Sequence, residues 1–199
     1  AGIWILMNEY IADPTVRLVT VNTAGPGKEN LPRLFTMLCQ AREAGARPFT
    51  LEVIGMTREQ YAGAYHTQVP EALVADVTFA GRLSHRETIA RIARSAYFVF
   101  IRDSNRFTEA GFPTKYCESI ACGTPVLTTR TSDLEAYLQP GDNGFFVENG
   151  AELGRILAAD NGEITRMKAF CRADDRLDYR RFADDMAGFL QALCKGEPT

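Results

Sequence analysis

Short apolar runs alternate with amphipathic segments along most of the chain. Five runs are rich in valine, isoleucine and phenylalanine and are mostly apolar on both faces, and a weaker sixth follows them. They lie at residues 17–21, 49–54, 77–80, 97–101, 125–129 and 144–147. Such runs are typical of a parallel sheet that is covered by helices on each side, and not of an amphipathic meander.

Helical periodicity fills most of the segments between these runs and continues beyond the last one. The predicted helices cover residues 31–43, 86–95, 115–121, 152–157, 163–171 and 179–193. Ser84 followed by Glu87 forms a capping-box pattern before the second of these helices. Either Asn30 or Asn22 can cap the first helix, and the sequence does not decide between them.

The alternation of strands and helices predicts an α/β fold, a Rossmann-like doubly wound parallel sheet of about six strands with a helical C-terminal tail. We divide the chain into a lead-in or interdomain segment at 1–16, a Rossmann-like domain at 17–175 and a C-terminal helix at 176–199. The last helix carries an apolar stripe that needs a hydrophobic surface to cover it. The stripe consists of Phe182, Met186, Phe189, Leu190 and Leu193.

The composition narrows the classes of ligand and partner. The formal net charge is −3, so no global positive field attracts nucleic acid, and an anionic ligand must be held by a local cluster of cations. The five cysteines are widely spread and only two histidines are present, which predicts no metal site. Cysteines used as small apolar residues suit a reducing cytosol, and the apolar stretch at residues 3–7 is too short to span a bilayer.

Ligands of doubly wound sheets bind outside the carboxyl ends of the strands, and three loops there carry candidate chemistry. The first loop spans residues 22–30 and offers Gly27 and Lys28 to a diphosphate. It is not a P-loop, because Glu29 follows the lysine, and Asn30 stands where the dinucleotide fingerprint has its third glycine. A solvent-facing Gly-Pro turn is the alternative interpretation.

The second loop spans residues 81–85 and follows the third predicted strand. Arg82 can reach a phosphate from this position, and the backbone around Leu83 can contact a base. The alternative is a tight turn into a capped helix, with Arg82 in solvent and no ligand at all.

The third loop runs from Arg102 into the helix predicted at 115–121. The amides of Gly111 and Phe112 lie near the start of that helix, where an anion is favoured. Lys115 is unfavourable in a first turn unless an anion is bound, and Glu118 can accept hydrogen bonds from ribose hydroxyls. The alternative is a surface ion pair between Lys115 and Glu118, which are three residues apart.

The run A-G-F-P-T-K-Y-C-E-S-I-A-C-G-T-P-V at 110–126 resembles the donor-site signature of the group 1 glycosyltransferases of the GT-B fold. It is especially similar to a bacterial polysaccharide-type subfamily. Three further segments agree in order, at residues 25–31, at 79–85, and at 131–134 with 142–145. The resemblance covers roughly residues 17–150. It implies the C-terminal, donor-binding half of a GT-B enzyme.

The resemblance also implies a reaction. The enzyme would transfer a sugar, with retention and without a metal or other cofactor, from a nucleotide diphosphate-sugar to a glycan or lipid-linked acceptor. It would work in the cytoplasm, with peripheral membrane association of the full-length protein as a further expectation. An N-terminal acceptor-binding domain would supply part of the catalytic machinery, so this chain alone should bind donor but hardly turn over.

Roles carry over by motif onto several residues of this sequence. Gly27, Lys28 and Arg82 would bind the diphosphate. The amides of Gly111 and Phe112, with Lys115, would lie near the donor sugar or phosphate, and Glu118 would bind the ribose. The backbone of Leu83 would frame the base together with Gly55 and Met56.

One position departs from the family pattern. That pattern is a glutamate, seven residues and a second glutamate, and counting back from Glu118 reaches Ala110 instead, with Glu109 one residue earlier. The residue that orients the donor sugar is therefore open. Two other functions remain as alternatives: a non-catalytic nucleotide-binding module, and a GT-B epimerase or phosphorylase. His66 and His85 are interpreted as surface or capping residues.

Overall fold

A computed structural model describes residues 14–23 and 27–195 of the chain. All six apolar runs form strands, and each predicted boundary is correct to within one residue. The strands are β1 (Val16–Val21), β2 (Phe49–Ile54), β3 (Val77–Gly81), β4 (Tyr97–Phe100), β5 (Val126–Thr128) and β6 (Gly144–Phe146). They make one parallel sheet in the order β3-β2-β1-β4-β5-β6, which confirms the predicted Rossmann-like doubly wound fold.

The strand order places the ligand-binding edge of the sheet. The chain steps outward from β1 to β3 and then returns to the other side of β1 to begin β4. A crevice opens where the order reverses, between the carboxyl ends of β1 and β4. Backbone hydrogen bonding brings the following loops together there, since the amide of Asn30 donates to the carbonyl of Ile101 at 2.7 Å.

Eight α-helices and three short 3₁₀ turns occur in the described residues. The helices are α1 (Leu31–Glu43), α2 (Arg58–Tyr65), α3 (His85–Arg94), α4 (Arg106–Glu109), α5 (Thr114–Ala121), α6 (Gly150–Leu157), α7 (Asn161–Ala173) and α8 (Ala183–Lys195). The six helical segments predicted from the sequence are all present. The sequence did not predict α2 and α4, because α2 buries only Tyr61 and α4 is a single turn.

Helices cover both faces of the sheet, and alternate strand residues point to opposite cores. Leu18 and Leu51 pack on one face with Phe35 of α1, and Val19 and Phe98 pack on the other. The second face is completed by Ile92 of α3, by Tyr116 and Ile120 of α5 and by Cys171 of α7. Burial on both faces is the reason that these strands are mostly apolar.

Two helix caps bear on the sequence predictions. Asn30 is the cap of α1, because its side-chain oxygen accepts the Arg33 amide at 2.9 Å. Asn22 instead lies buried, and its amide donates to the hydroxyl of Thr20. Ser84 and Glu87 make the predicted capping box at α3. The start of α1 is therefore fixed by a residue of the first loop.

The C-terminal helix exposes its apolar stripe. Phe182, Met186, Phe189, Leu190 and Leu193 are each exposed by about half, between 47% and 56%. Among the described residues, therefore, nothing covers the stripe fully. No helix within the described residues is long and apolar enough to cross a membrane.

Some expectations fall outside the described residues or are untested. The apolar stretch at 3–7, most of the lead-in segment at 1–16 and Gly25 of the first loop lie outside them. The division at 16 and 175 stays a prediction.

The residue after β2, Gly55, has to be a glycine because its backbone lies close to that of Asn22, which follows β1. Its φ is +101°, and a Cβ added there would lie 1.8 Å from the carbonyl oxygen of Asn22. Gly55→Ala should therefore lower the free energy of unfolding by at least about 2 kcal/mol, since a left-handed φ costs about 1–2 kcal/mol and the clash adds to it. Urea unfolding followed by circular dichroism measures the change.

Gly63 is the matched control for Gly55. It lies within α2, and a Cβ there meets nothing within 4 Å. Gly63→Ala should stabilise the protein by about 0.5–1 kcal/mol, because alanine costs less backbone entropy in a helix than glycine. Equal losses from the two substitutions would contradict the close approach at Gly55.

Candidate functional site

A polar cleft of about 480 Å³ opens at the carboxyl ends of β4, β5 and β6. It is lined by Arg33, Arg102, Ser104, Glu109, Thr129, Arg130, Thr131, Ser132, Glu135 and Glu148. The cleft adjoins the crevice between β1 and β4, because Arg102 follows β4. None of the eight donor-binding residues predicted from the sequence lines this cleft; they lie in the loops after β1, β3 and β4 and in α5.

A buried carboxylate spans the crevice. Glu29 follows β1, and its Oε1 accepts hydrogen bonds from Nε and Nη2 of Arg102, which follows β4, at 3.2 and 2.7 Å. Its Oε2 lies 2.7 Å from Nζ of Lys115 in the first turn of α5. The side chains of Glu29 and Arg102 are only 8% and 5% exposed, and that of Lys115 is 20% exposed. One carboxylate thus joins three segments at the switch point.

The cluster shifts the pKa values of Glu29 and Lys115. Burial raises the pKa of Glu29, but Lys115 and Arg102 more than offset it, so the pKa of this carboxyl lies below its ordinary value. Burial lowers the pKa of Lys115, and the Glu29 carboxylate only partly restores it. The cluster of one anion and two cations carries a net charge of one positive unit.

Arg102 is held on several sides. Its amide donates to the hydroxyl of Thr129 at 2.9 Å, and that hydroxyl donates back to the Arg102 carbonyl at 2.7 Å. Its guanidinium lies over the ring of Phe100, at 5.2 Å from the centroid. Its Nη1 is buried and has no hydrogen-bond partner in the part of the chain that the structure describes. Such an orphaned charged donor is unusual in a folded protein.

The first and third loops meet through an aromatic contact. Nζ of Lys28 lies 4.9 Å from the centroid of the exposed Phe107 ring on α4. Gly27 is exposed beside it, and Glu29 anchors the next position of the loop. The structure therefore brings Lys28 to the switch point, as the sequence predicted, although the cation–π contact with Phe107 was not foreseen.

The start of α5 offers free backbone donors. Among the residues that the structure describes, no side chain caps this helix, whose N-cap is Pro113. Gly111 before it is exposed, and Phe112 packs edge-on against Tyr116 and Tyr137, with centroids 6.0 and 4.9 Å away. Uncapped amides at a helix start favour an anion.

The alternative in which Lys115 pairs with Glu118 on the surface is wrong. The ammonium of Lys115 pairs with Glu29, from the first loop, and not with the residue three positions along its own helix. Glu118 is exposed on α5 and is the weakest of the charges that act on the pKa of Lys115. It stands free to face a ligand.

Glu109 is fixed by the loop after β5. Its Oε2 accepts the amide of Ser132 at 2.6 Å, and both residues line the cleft. Ser132 has a positive φ of +49°, which points its amide at this carboxylate. Ala110, which the family pattern counts as the first glutamate position, is the C-cap of α4.

One backbone carbonyl ties α5 to the start of the C-terminal segment. The carbonyl of Tyr137 accepts from the hydroxyl of Tyr116 at 2.9 Å, from Nδ2 of Asn143 at 3.1 Å and from Nη2 of Arg176 at 3.1 Å. Nδ2 of Asn143 also donates to the Tyr116 hydroxyl at 3.0 Å. This group packs beneath the Phe112 ring.

The remaining predicted positions differ in exposure. Arg82 lies on the surface, and Leu83 is half-buried against the core of the second face. Met56 is fully buried, backbone included. His66 is the left-handed C-cap of α2 and His85 begins α3, and both are exposed, as predicted. Within 14–23 and 27–195, no group of three or more His, Cys, Asp or Glu side chains can hold a metal ion.

Glu29 and Arg102 are the functional candidates that sequence reasoning missed. Arg102 directly follows a predicted strand, Glu29 lies at the end of the loop between β1 and α1, and the two are 73 positions apart. The signal that identifies them is topological: in the strand order of this fold β1 and β4 are neighbours, so charged residues in the loops after both strands can meet across the crevice.

This fold defines a Rossmann-like α/β class of protein, in which ligands bind in the crevice at the switch point. Residues 17–159 match the family model described as "Glycosyl transferases group 1", so the chain belongs to the group 1 glycosyltransferase family. No curated protein matches the chain.

Several solved structures share the fold. HepE of Anabaena, solved in complex with UDP and glucose, is 17% identical with a TM-score of 0.67, over 95% of this chain and 51% of that one. Sucrose-phosphate synthase from Thermosynechococcus elongatus is 18% identical with a TM-score of 0.67, over 96% of this chain and 49% of that one. WaaG, a glycosyltransferase involved in lipopolysaccharide biosynthesis, is 18% identical with a TM-score of 0.59, over 89% and 47%. The chain therefore has the Rossmann-like fold of GT-B glycosyltransferases and spans about half the length of these proteins.

The ion-pair cluster predicts a large effect for the loss of one charge. Glu29→Gln should lower the free energy of unfolding by about 3 kcal/mol at neutral pH, since it leaves buried cations without their carboxylate. The low pKa of Glu29 makes its contribution full above the ordinary carboxyl pKa and lost as the pH falls through the lower folded value. The difference between the two proteins should thus shrink below about pH 4.

Glu135→Gln provides the matched control. Glu135 pairs with Arg130 at 3.1 Å, but the two side chains are 66% and 58% exposed. Its substitution should cost less than about 1 kcal/mol. Chemical unfolding of both variants across pH compares them, and a Glu29 variant as stable as the Glu135 variant would show that the buried cluster does not stabilise the fold.

Proposed function

We propose that this chain is the donor-binding half of a retaining glycosyltransferase that takes a sugar from a nucleotide diphosphate donor. The observation that carries the proposal is the convergence of cations and free amides at the switch point of a group 1 glycosyltransferase domain. Lys28, Lys115 and Arg102 approach from the loop after β1, from α5 and from the loop after β4. The uncapped start of α5 adds backbone donors.

Each predicted residue has a place in this proposal. Gly27 and Lys28 contact the diphosphate, the amides of Gly111 and Phe112 lie at the sugar or phosphate, and the exposed Glu118 accepts the ribose hydroxyls. Arg82 and the backbone of Leu83 lie at the surface after β3, one strand beyond β2 from the crevice, and reach the phosphate and base there. UDP-bound relatives of the same fold, such as HepE, support a nucleoside diphosphate as the ligand.

The chemistry follows from where charge develops. Breaking the bond between sugar and phosphate builds negative charge on the leaving diphosphate. Cations and amides that are already fixed in place stabilise that charge without reorganising during the reaction. We propose that Lys28, Lys115 and the α5 amides do this work without a metal ion. The group that orients the donor sugar is then sought at Glu109, whose carboxylate is held in the cleft by the Ser132 amide.

The other half of the enzyme is proposed to precede this domain and to bind the acceptor. The solved relatives are about twice as long as this chain, and the bare stripe on α8 supplies a hydrophobic face for a second domain. We propose a glycan or lipid-linked acceptor and a role in bacterial surface polysaccharide synthesis, in the cytoplasm or at the inner face of the membrane. The relation of WaaG to lipopolysaccharide biosynthesis supports that class of acceptor.

Nucleotide binding is the direct test. Calorimetry with UDP, GDP and dTDP should detect one that binds, and Glu118→Gln should weaken it by about 1–3 kcal/mol, because the substitution removes a charged acceptor from the ribose hydroxyls. Glu43→Gln, at the exposed C-terminal end of α1, is the control and should leave binding unchanged. Absence of heat with all three nucleotides at millimolar concentration would remove the donor-site proposal.

The exposed stripe predicts the behaviour of the separate halves. The isolated 199-residue chain should transfer no sugar, and co-expression with the N-terminal half of the full-length protein should restore transfer. Phe189→Ser with Leu190→Ser should abolish this rescue while hardly changing the melting temperature of the isolated chain, because both side chains are already half exposed. Robust transfer by the isolated chain would refute the half-enzyme proposal, and nucleotide binding without rescue would favour a non-catalytic module.

A further inference from the structure

The guanidinium of Arg102 uses only one of its two hydrogen-bonding edges. Glu29 Oε1 accepts from Nε and Nη2, which form the side edge of the group. The other edge consists of Nη1 and the second hydrogen of Nη2. Nη1 is buried and has no partner among the residues that the structure describes. An arginine edge of this kind matches two oxygens of a phosphate group.

The charges of the cluster are also unbalanced. Glu29 supplies one negative charge against the two positive charges of Arg102 and Lys115, and both Glu29 and Arg102 are nearly excluded from solvent. A buried cation with unmet donors is costly, and an anionic oxygen removes both costs at once. Of the charges that act on Lys115, only Glu118 lies outside this cluster, and it is exposed.

The position of Arg102 matches a ligand at the switch point. It follows β4, pairs with a residue that follows β1, and lines the polar cleft. Lys115, its neighbour in the cluster, lies in the first turn of α5, where no side chain occupies the helix amides. Lys28 is one residue from Glu29. The orphaned edge thus lies among the groups that already favour an anion.

We propose that Arg102 is a further diphosphate-binding residue, which uses its free Nη1–Nη2 edge, and that Glu29 is the positioning residue that holds Arg102 and Lys115 for this ligand. The inference rests on the proposed function only for the nucleoside part of the ligand. The group that Arg102 binds is a diphosphate, whether it is attached to a nucleoside or free.

The role of Glu29 differs from that of a ligand-binding group. It turns one edge of Arg102 away from the ligand and leaves the other edge available, and it fixes Lys115 by its second oxygen. A lysine at 102 would keep the charge but would lose the planar fork, so it should bind a diphosphate less tightly than arginine does.

The test compares binding of inorganic pyrophosphate, of the nucleoside diphosphate that binds best, and of the matching nucleoside, by calorimetry and thermal shift. Arg102→Gln should weaken both diphosphates by tenfold or more and change nucleoside binding little. Arg102→Lys should show an intermediate loss. Arg166→Gln is the control, because Arg166 pairs with Asp142 on the surface before β6, at the opposite end of the sheet.

The outcomes separate this inference from the proposed function. If pyrophosphate stabilises the protein through Arg102 but no nucleotide binds, the anion site stands and the donor proposal fails. If nucleotides bind but neither Arg102 variant weakens either diphosphate, the donor proposal stands and the inference fails. Equal losses for the nucleoside and the diphosphates, or an equal loss from Arg166→Gln, would overturn the inference as well. If Arg102→Gln does not fold, the Arg102→Lys variant is used instead, and the ratio of its diphosphate affinity to its nucleoside affinity is measured.

Discussion

The geometry of the site depends on one carboxylate placed between two cations. Glu29 joins the loop after β1 to the loop after β4 and to the first turn of α5, segments that are far apart in sequence. Strand order alone brings the first two near each other, because β1 and β4 are paired. It does not set the distance between the loops that extend beyond the strands. Because the carboxylate uses both oxygens, it fixes the distance across the crevice and the direction in which each cation points.

The sequence was sufficient for the fold because the strands are mostly apolar on both faces and alternate with helical segments, a pattern typical of a helix-covered parallel sheet. It was weaker for short elements. Helix α2 buries only Tyr61, so its periodicity is too faint to detect, although its capping box at Thr57 and Gln60 was readable. The choice between Asn30 and Asn22 as a cap could not be made, because it depends on which side chain the strand ends bury.

Prediction of the site was limited in a similar way, because local patterns were readable and contacts between distant segments were not. Motif spacing located Lys28, Gly111, Phe112 and Lys115, because those residues lie in local loop-to-helix patterns. Glu29 served in the sequence only to argue against a P-loop, since its partners come from other loops and no local pattern records a contact across 73 positions. Lys115 is an example in which the local sequence suggested the wrong partner. Its nearest carboxylate along the helix is Glu118, but its partner in space is Glu29.

The Tyr137 carbonyl links α5 to the segment that leads to α8. A carbonyl oxygen has two lone pairs, yet three donors from Tyr116, Asn143 and Arg176 share this one. The donors therefore compete, and each bond is weaker than it would be alone. Arg176 lies between α7 and α8, so through this one carbonyl the segment that leads to α8 is joined to the side chains that pack under Phe112. The bonds that Tyr116 and Asn143 make to it are therefore not independent of Arg176.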